Sequence, residues 1–364
     1  MTDRILQPGD TIGILGGGQL ARMLALAAAD FGLKAHIYAP AGDNPAFHVS
    51  AAHTEGAYED AAALAGFART VSVVTYEFEN VPAGTVAAVE PHCPVRPNGR
   101  ALAVTQDRLQ EKSFLRDLGL PTAPFAAVDS AEDMVHAVAE LGRPSILKTR
   151  RFGYDGKGQV VLRDGMDAAS AFGELGRPSI LEGFVPFGRE VSVVAARGLD
   201  GAFRAFDLCE NRHQGGILDV TTVPAQVSPG TEAAASAMAE RIAIALDYVG
   251  VLAVEMFVVP DLEGGETLVV NEIAPRVHNS GHWTSDGAVT SQFHQHIRAV
   301  CGWSLGETTR FGSVHMRNLI GDDVAGWAAQ LAAPGTCLHL YGKAEARPGR
   351  KMGHVTTVTM PPAR

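Results

Sequence analysis

The chain has 364 residues, a formal net charge of −10 and four cysteines. That length supports two or three domains with their own cores, and the acidic balance argues against a nucleic-acid surface, so an anion site has to be a local basic cluster. Cys93, Cys209, Cys301 and Cys337 are scattered without a C-x-x-C pair, which points to reduced thiols and away from a disulfide framework or a structural zinc site. No apolar run reaches membrane-span length, and residues 1–10 lack a basic segment followed by an apolar core, so the cytoplasm is the expected compartment.

In chain order, Thr11–Leu15 reads as a buried strand, Gly16-Gly17-Gly18 as a turn, and 19–31 as an alanine- and leucine-rich helix closed by Gly32. Lys34–Ala39 and 71–76 are further strands, which together make a doubly wound α/β unit of about one hundred residues. Gly16-x-Gly18-x-x-Ala21 would suit a dinucleotide, but that fingerprint also needs an acid at the end of the second strand, and here it ends Tyr38-Ala39-Pro40. The turn is therefore read as a small-molecule or phosphate contact, or as tight helix–strand packing.

Past a proline-rich connection at 94–97, a helix is expected from Thr105, with Arg108 at its third position and Gly119 beyond its end. A cation in the first turn opposes the helix dipole, so Arg108 asks for an anionic partner, and Asp107 is the ordinary candidate. Residues 130–141 form the next helix, with Ser130 and Asp133 placed as a capping box and Gly142 past the end. The octapeptide Glu140-Leu141-Gly142-Arg143-Pro144-Ser145-Ile146-Leu147 recurs at 174–181. Lys148 follows one copy and Glu182 the other, a cation suited to phosphate and an acceptor suited to an adenine amino group. From Lys148 the chain enters a loop rich in glycine and cations, Gly153-Tyr154-Asp155-Gly156-Lys157-Gly158-Gln159. Such a loop lets backbone N–H groups approach phosphate oxygens, although its spacing is not that of a Walker loop. Glu190 is the only acid inside a strand at 189–195, where a surface position is the ordinary account, and His213 reads as a loop histidine. Residues 231–248 form an alanine-rich helix with a packing role.

Residues 253–259 and 267–273 are apolar runs joined by a short glycine-containing link, the pattern of a β-hairpin. With Glu263-Gly264 as a two-residue turn, Glu255 lies opposite Glu272. Like charges so opposed among apolar neighbours are destabilising unless a divalent cation sits between them, and Mg²⁺ is commonly held by one or two carboxylates plus substrate phosphates. His278 and His282 stand four apart but flank a loop-like Asn279-Ser280-Gly281, and His294 and His296 point to different sides of a helix, so all four read as structural and catalytic zinc is not expected. Lys343, Arg347, Arg350 and Lys351 gather near the C-terminus, for which a solvated hairpin tip is the ordinary reading.

Three of these stretches carry a resemblance. Asn271-Glu272-Ile273-Ala274-Pro275-Arg276-Val277-His278-Asn279-Ser280-Gly281-His282-Trp283-Thr284, the 153–159 loop and Tyr76-Glu77-Phe78-Glu79-Asn80-Val81 closely resemble the N5-carboxyaminoimidazole ribonucleotide synthetase family of the ATP-grasp superfamily. The likeness runs from Gly13 to His354, and its first stretch is the most specific. It implies a mixed α/β and α+β ATP-grasp fold: an N-terminal doubly wound domain at 1–102, an ATP-grasp domain at 103–305 with a lid at about 123–188, and a small β-rich C-terminal domain at 306–364. The implied activity is that of an ATP-dependent carbon–nitrogen ligase of purine biosynthesis. Bicarbonate is joined to the amine of 5-aminoimidazole ribonucleotide through carboxyphosphate, with Mg²⁺ and in a homodimer.

The same resemblance implies residue roles. Arg108, Lys148, the loop Gly153 to Gln159, Glu182 with the hinge Gly183-Phe184-Val185, Glu190, His213, Asn271 and Glu272 would bind ATP, and Glu255 and Glu272 the metal. Lys148, Tyr154, Asp155 and Arg276 would serve catalysis. Glu77, Tyr154, Asp155, Arg276, His278 and Asn279 would hold the ribonucleotide, with Lys343, Arg350 and Lys351 clamping its phosphate. Two rivals share parts of this pattern. A formate-using ligase resembling glycinamide ribonucleotide transformylase would share the nucleotide half but not the 278–283 run; a nucleotide-binding module without turnover would not need both carboxylates.

Overall fold

Three sheets organise the chain, and the computed structural model describes residues 4–153, 157–261 and 264–360. The first sheet is parallel, with strands β1 (Thr11–Leu15), β2 (Lys34–Ala39), β3 (Ala52–Glu55) and β4 (Val73–Tyr76) in the order β3-β2-β1-β4. β1 and β4 are buried almost throughout, which is why they read as continuous apolar runs. The order reverses between β1 and β4, so the loops leaving their carboxyl ends open a crevice at that point. Helix Gln19–Asp30 buries Leu20, Ala21, Leu24 and Ala28. Leu20 and Leu24 share one core with Phe293 and Ile297 of helix Gln292–Val300, so the N-terminal domain is packed onto the body of the molecule. Each such leucine contributes about 1.5–3 kcal/mol when fully buried.

The helix expected from Thr105 is two helices, Gly99–Thr105 and Arg108–Asp117. Asp107 separates them: its carboxylate accepts the Leu109 and Gln110 N–H groups, which makes Arg108 the first helical residue, not the third.

A second, antiparallel sheet comprises β5 (Phe125–Val128), β6 (Ser145–Thr149), β7 (Gln159–Leu162) and β8 (Ser179–Gly183), in the order β5-β8-β6-β7. Helices Ala131–Leu141 and Ala168–Leu175 form a small core with it through Met134, Leu147, Ala171 and Leu181. The two octapeptide copies end in β6 and β8, which are neighbours. Because Ile146 pairs with Glu182 and Lys148 with Ile180, Lys148 and Glu182 are diagonal on one face.

The third sheet takes β9 (Arg189–Arg197), β10 (Phe203–Ala205), β11 (Cys209–Gln214), β12 (Ile217–Val223), β13 (Gly250–Pro260), β14 (Glu266–Ala274), β15 (Ser313–Ile320), β16 (Thr336–Leu340) and β17 (Lys351–Thr359). Its order is β14-β13-β9-β11-β12-β15-β17-β16, with β10 beside β9. The C-terminal region is β-rich as expected, and its three strands continue this sheet through β12 and β15. Glu255 does pair with Glu272, but by a different route from the expected two-residue turn. Pairs nearer the turn, such as Pro260 with Glu266, are offset by one residue, and a bulge between Glu255 and Met256 absorbs the offset. The link spans 261–265; Glu263 lies outside the described residues. Among the described residues no helix is long and apolar enough to cross a membrane.

Candidate active site

A cleft of about 760 Å³ runs between the three sheets, lined by Glu77 and Glu79 of the first domain, Lys148, Gly153 and Gln159 of the second sheet, and Glu190, His213, Glu255, Asn271, Glu272, Arg276, His278, Asn279 and Lys351 of the body. Arg108 and Glu111 complete one wall.

The hairpin strands bring three oxygen-bearing side chains to this cleft. Glu255 Oε1 lies 3.0 Å from His278 Nε2, and Glu272 Oε2 accepts Arg108 Nη1 at 3.1 Å. Burial alone would push the Glu255 carboxyl up, but the His278 hydrogen bond and the nearby His278, His213 and Arg276 charges hold it down at about 2. It is therefore anionic near neutrality. Asn271 Oδ1 is buried beside them with no hydrogen-bond partner among the described residues. Two carboxylates and an orphaned amide oxygen form a hard-oxygen donor set, which fits Mg²⁺. Arg108 finds its anion in Glu272, since Asp107 is spent on capping; Arg108 Nη2 also donates to the Gly153 carbonyl at 3.3 Å.

Lys148 Nζ donates to Glu182 Oε2 at 2.9 Å, and Lys112 Nζ lies 3.7 Å from the same oxygen. Burial opposes the Glu182 charge, but the two ammonium groups outweigh it and hold the carboxyl at about 2. Glu182 Oε1 is buried without a partner among the described residues, so an acceptor remains for an amino group. The Gly183 and Phe184 N–H groups donate to the Pro124 and Pro144 carbonyls, and Gly183, Phe184 and Val185 do not line the cleft. Instead Phe187 does, stacked on Phe257 with ring centroids 4.4 Å apart.

Tyr154, Asp155 and Gly156 lie outside the described residues. At the rest of that loop, Gly158 has φ +72° and a Cβ there would meet Thr149 Oγ1 at 2.7 Å, so glycine is required where the loop re-enters β7. Lys157 precedes it in the same turn.

Glu190, to which the resemblance gives an ATP-binding role, meets His213, and together with Glu255 it raises the His213 pKa against the opposing effect of burial. Arg276 is half-buried and its Nε donates to Glu79, whose carboxyl is held at about 2 by that guanidinium although burial opposes it. Asn279 exchanges both amide hydrogen bonds with Asn318, at 3.0 and 2.7 Å, which leaves it a wall residue. His278 places its N–H on Gln292 Oε1 and its ring on Glu255.

Glu77 bears on the glycine turn, for which close packing is one of the readings. Its two oxygens accept the Gly18 and Ala21 N–H groups at the start of helix Gln19–Asp30, the place a phosphate would occupy. A Cβ on Gly16 would sit 2.4 Å from Glu77 Cγ. The turn is thus close packing around an internal carboxylate, and Gly18 also borders the cleft. Near the C-terminus, Lys343 Nζ donates to the Lys351 carbonyl at 2.6 Å, and burial, then Arg350, brings its pKa down to about 8. Arg350 Nη2 lies 2.7 Å from Asp43 Oδ2 of the first domain. Only Lys351 of the basic cluster lines the cleft directly.

Sequence reading missed Glu79, Glu111, Lys112 and Phe187. Glu111 is 2 % and Lys112 1 % exposed, and Glu111 accepts the Ile273 N–H at 2.7 Å between the hairpin acids and Arg276. Burial and the Glu272 charge push the Glu111 carboxyl up to about 8. Adjacent charged residues on a polar helix look solvated in sequence, and nothing local marks them as interior.

A lysine and a glycine-rich loop from one antiparallel sheet, facing paired carboxylates on another, make this a nucleotide site of the ATP-grasp class. Family models agree along the chain: residues 10–106 match the ribonucleotide synthetase preATP-grasp domain, 113–293 the ATP-grasp domain and 315–361 the phosphoribosylaminoimidazole carboxylase C-terminal domain. The chain is 51% identical over 356 residues to N5-carboxyaminoimidazole ribonucleotide synthase of Brucella melitensis, covering 97% of each. It superposes on the N5-carboxyaminoimidazole ribonucleotide synthetase of Thermus thermophilus with a TM-score of 0.88 at 48% identity, over 96% of this chain and 93% of the other. The Aspergillus clavatus synthase in complex with ADP and 5-aminoimidazole ribonucleotide gives a TM-score of 0.89 at 29% identity, over 97% and 95%. The chain belongs to the N5-carboxyaminoimidazole ribonucleotide synthase family.

Proposed function

We propose that this enzyme uses ATP to carboxylate 5-aminoimidazole ribonucleotide with bicarbonate, giving N5-carboxyaminoimidazole ribonucleotide, ADP and phosphate in purine biosynthesis. The observation that carries the reading is the meeting of Glu255 and Glu272 with Arg276 and Lys148 in one cleft. A module that only binds nucleotide has no use for that combination.

In this reading bicarbonate oxygen attacks the γ-phosphorus, the bond to the ADP oxygen breaks, and carboxyphosphate forms. Its carbon then passes as carbon dioxide to the exocyclic amine, which loses a proton, and phosphate leaves. Lys148 steadies the ATP phosphates once Glu182 shares it, and Arg108 meets the same anions; by the family resemblance the N–H groups of the 153–158 loop would join them. Glu255, Glu272 and Asn271 would hold Mg²⁺, which would supply positive charge against the phosphates. Arg276, oriented by Glu79, holds bicarbonate and then carboxyphosphate. By the family resemblance Tyr154 and Asp155, which lie outside the described residues, would position the aminoimidazole in the cleft that His278 lines, and closure of the loop would exclude water from the intermediate. Lys343, Arg350 and Lys351 receive the ribonucleotide phosphate. A homodimer in the cytoplasm belongs to the same reading and rests on the family resemblance.

The experiment is ADP release measured with bicarbonate and aminoimidazole ribonucleotide each omitted in turn. Strong turnover needs both, and labelled bicarbonate enters an acid-labile product. Turnover supported by formate and glycinamide ribonucleotide instead refutes the substrate assignment.

A further inference from the structure

Beneath the 278–281 loop, buried polar side chains that the reaction does not use join end to end. Glu255 on β13 is paired with Ser192 on β9, Glu190 on β9 with Asn211 on β11, and Asn211 with Thr221 on β12, so the sheet turns one polar row toward that loop. Thr221 Oγ1 donates to Asn211 Oδ1 at 3.0 Å, and Asn211 Nδ2 donates to Ser192 Oγ at 2.9 Å. Ser192 Oγ lies 2.7 Å from Ser280 Oγ, which lies 2.8 Å from His278 Nδ1. The other nitrogen of that ring, Nε2, is 3.0 Å from Glu255 Oε1. Ser192, Thr221 and Ser280 are fully buried and Asn211 nearly so.

One backbone group sets the direction of this chain. The Ser280 N–H donates to His278 Nδ1 at 3.4 Å, where the ring caps the short helical turn Asn279–Gly281. Among the neutral forms of the ring this selects the one with a bare Nδ1 and its proton on Nε2, where it is donated to Glu255. The Ser280 hydroxyl then also donates to Nδ1, and its oxygen accepts from Ser192. Ser192, having accepted from Asn211, has its own proton to give, so every link points toward the ring. The opposite tautomer would turn a lone pair toward a carboxylate. Burying four polar side chains costs free energy that their mutual hydrogen bonds offset, and apolar residues could fill the same volume; what the polar row adds is a fixed ring.

We propose that Ser280, Ser192, Asn211 and Thr221 are positioning residues that hold His278 as an Nε2 donor and, through it, fix the Glu255 carboxylate for Mg²⁺. The inference rests on Glu255 and Glu272 being the metal pair. Groups that orient a metal ligand through a hydrogen bond are worth about ten- to a hundredfold in metal affinity.

The test uses full-length enzyme labelled with ¹⁵N-histidine, the His278 signals being identified by their absence in His278→Gln. At alkaline pH, without nucleotide or metal, the parent should show a protonated Nε2 and a bare Nδ1. In Ser280→Ala the Mn²⁺ dissociation constant, read by electron paramagnetic resonance with ADP bound, should rise about tenfold or more. The Mg²⁺ concentration for half-maximal rate should rise with it and kcat at saturating Mg²⁺ recover toward the parent, while metal-free ADP affinity and far-ultraviolet circular dichroism stay unchanged. Ser192→Ala, one link further out, should move both metal readouts in the same direction by a smaller factor. A parent ring protonated on Nδ1, or parent-like Mn²⁺ affinity in both variants, overturns the proposal. Parent-like Mn²⁺ binding by Glu272→Ala strikes the metal reading and this inference with it. The ring signals and Mn²⁺ affinities do not depend on which acceptor the enzyme takes, so failure of the carboxylation assignment appears separately, in the ADP-release assay.

Discussion

Replacing Arg350 by alanine separates the two anion sites. In the free enzyme Arg350 Nη2 is 2.7 Å from Asp43 Oδ2 and Nη1 donates to the Glu345 carbonyl at 2.8 Å. Both partners of the ion pair are partly exposed, with side chains 20% and 25% accessible, so the pair is worth about 0–1 kcal/mol. A charged hydrogen bond to a phosphate is worth about 1.5–3 kcal/mol, which leaves about 0.5–3 kcal/mol after competition with Asp43. At about 1.4 kcal/mol per tenfold, Arg350→Ala should raise the KM for aminoimidazole ribonucleotide roughly two- to a hundredfold. The KM for ATP and the small ribonucleotide-independent ATPase should be largely unchanged, whereas Lys148→Ala depresses both activities. Steady-state kinetics with each substrate varied in turn gives the readout. Asp43→Asn removes the competitor and should lower the KM for the ribonucleotide or leave it alone. If Arg350→Ala raises only the KM for ATP, or moves neither constant, the basic cluster merely tethers its loop to Asp43 and the phosphate assignment fails.

Glu272→Ala should abolish Mg²⁺-dependent ATP turnover while leaving the far-ultraviolet circular dichroism intact, and normal turnover would remove Glu272 from the metal site. Glu111 retains its proton in the folded chain up to about pH 8, while the unfolded chain loses it near pH 4.3. The folded state therefore binds more protons in that window and loses stability as pH rises through it, so Glu111→Gln should gain stability relative to the parent between about pH 4.5 and 8 in urea titrations; a pH-independent difference contradicts this. Lys112→Met removes one of two cations from buried Glu182 and should cost about 3 kcal/mol, the low end for a broken buried pair because Lys148 remains. A variant as stable as the parent in denaturant would show that Lys148 alone compensates the charge.

The chemistry of this protein is written in short local runs. The glycine and cation loop after Lys148, the apolar hairpin with one acid in each strand, and the Asn271 to Thr284 run carried the family in the sequence, because each is a short run of particular side chains at fixed spacing. The facing of Glu255 and Glu272 follows from the two-residue period of strands, although the bulge that restores their pairing carries no local signature. Tertiary structure alone decided which charges neutralise one another. Arg108 pairs with Glu272 across 164 positions and Arg276 with Glu79 across 197. The octapeptide duplication acquired its meaning only when antiparallel pairing made Lys148 and Glu182 diagonal neighbours. Glu111 and Lys112 look solvated in sequence yet are interior, and Glu77 fills the helix terminus that its glycines seem to offer a phosphate. The physical reason is common to all these cases: secondary structure obeys a period readable over a few residues, whereas the partner of a buried charge is chosen by whichever distant segment the packing brings within a few ångströms.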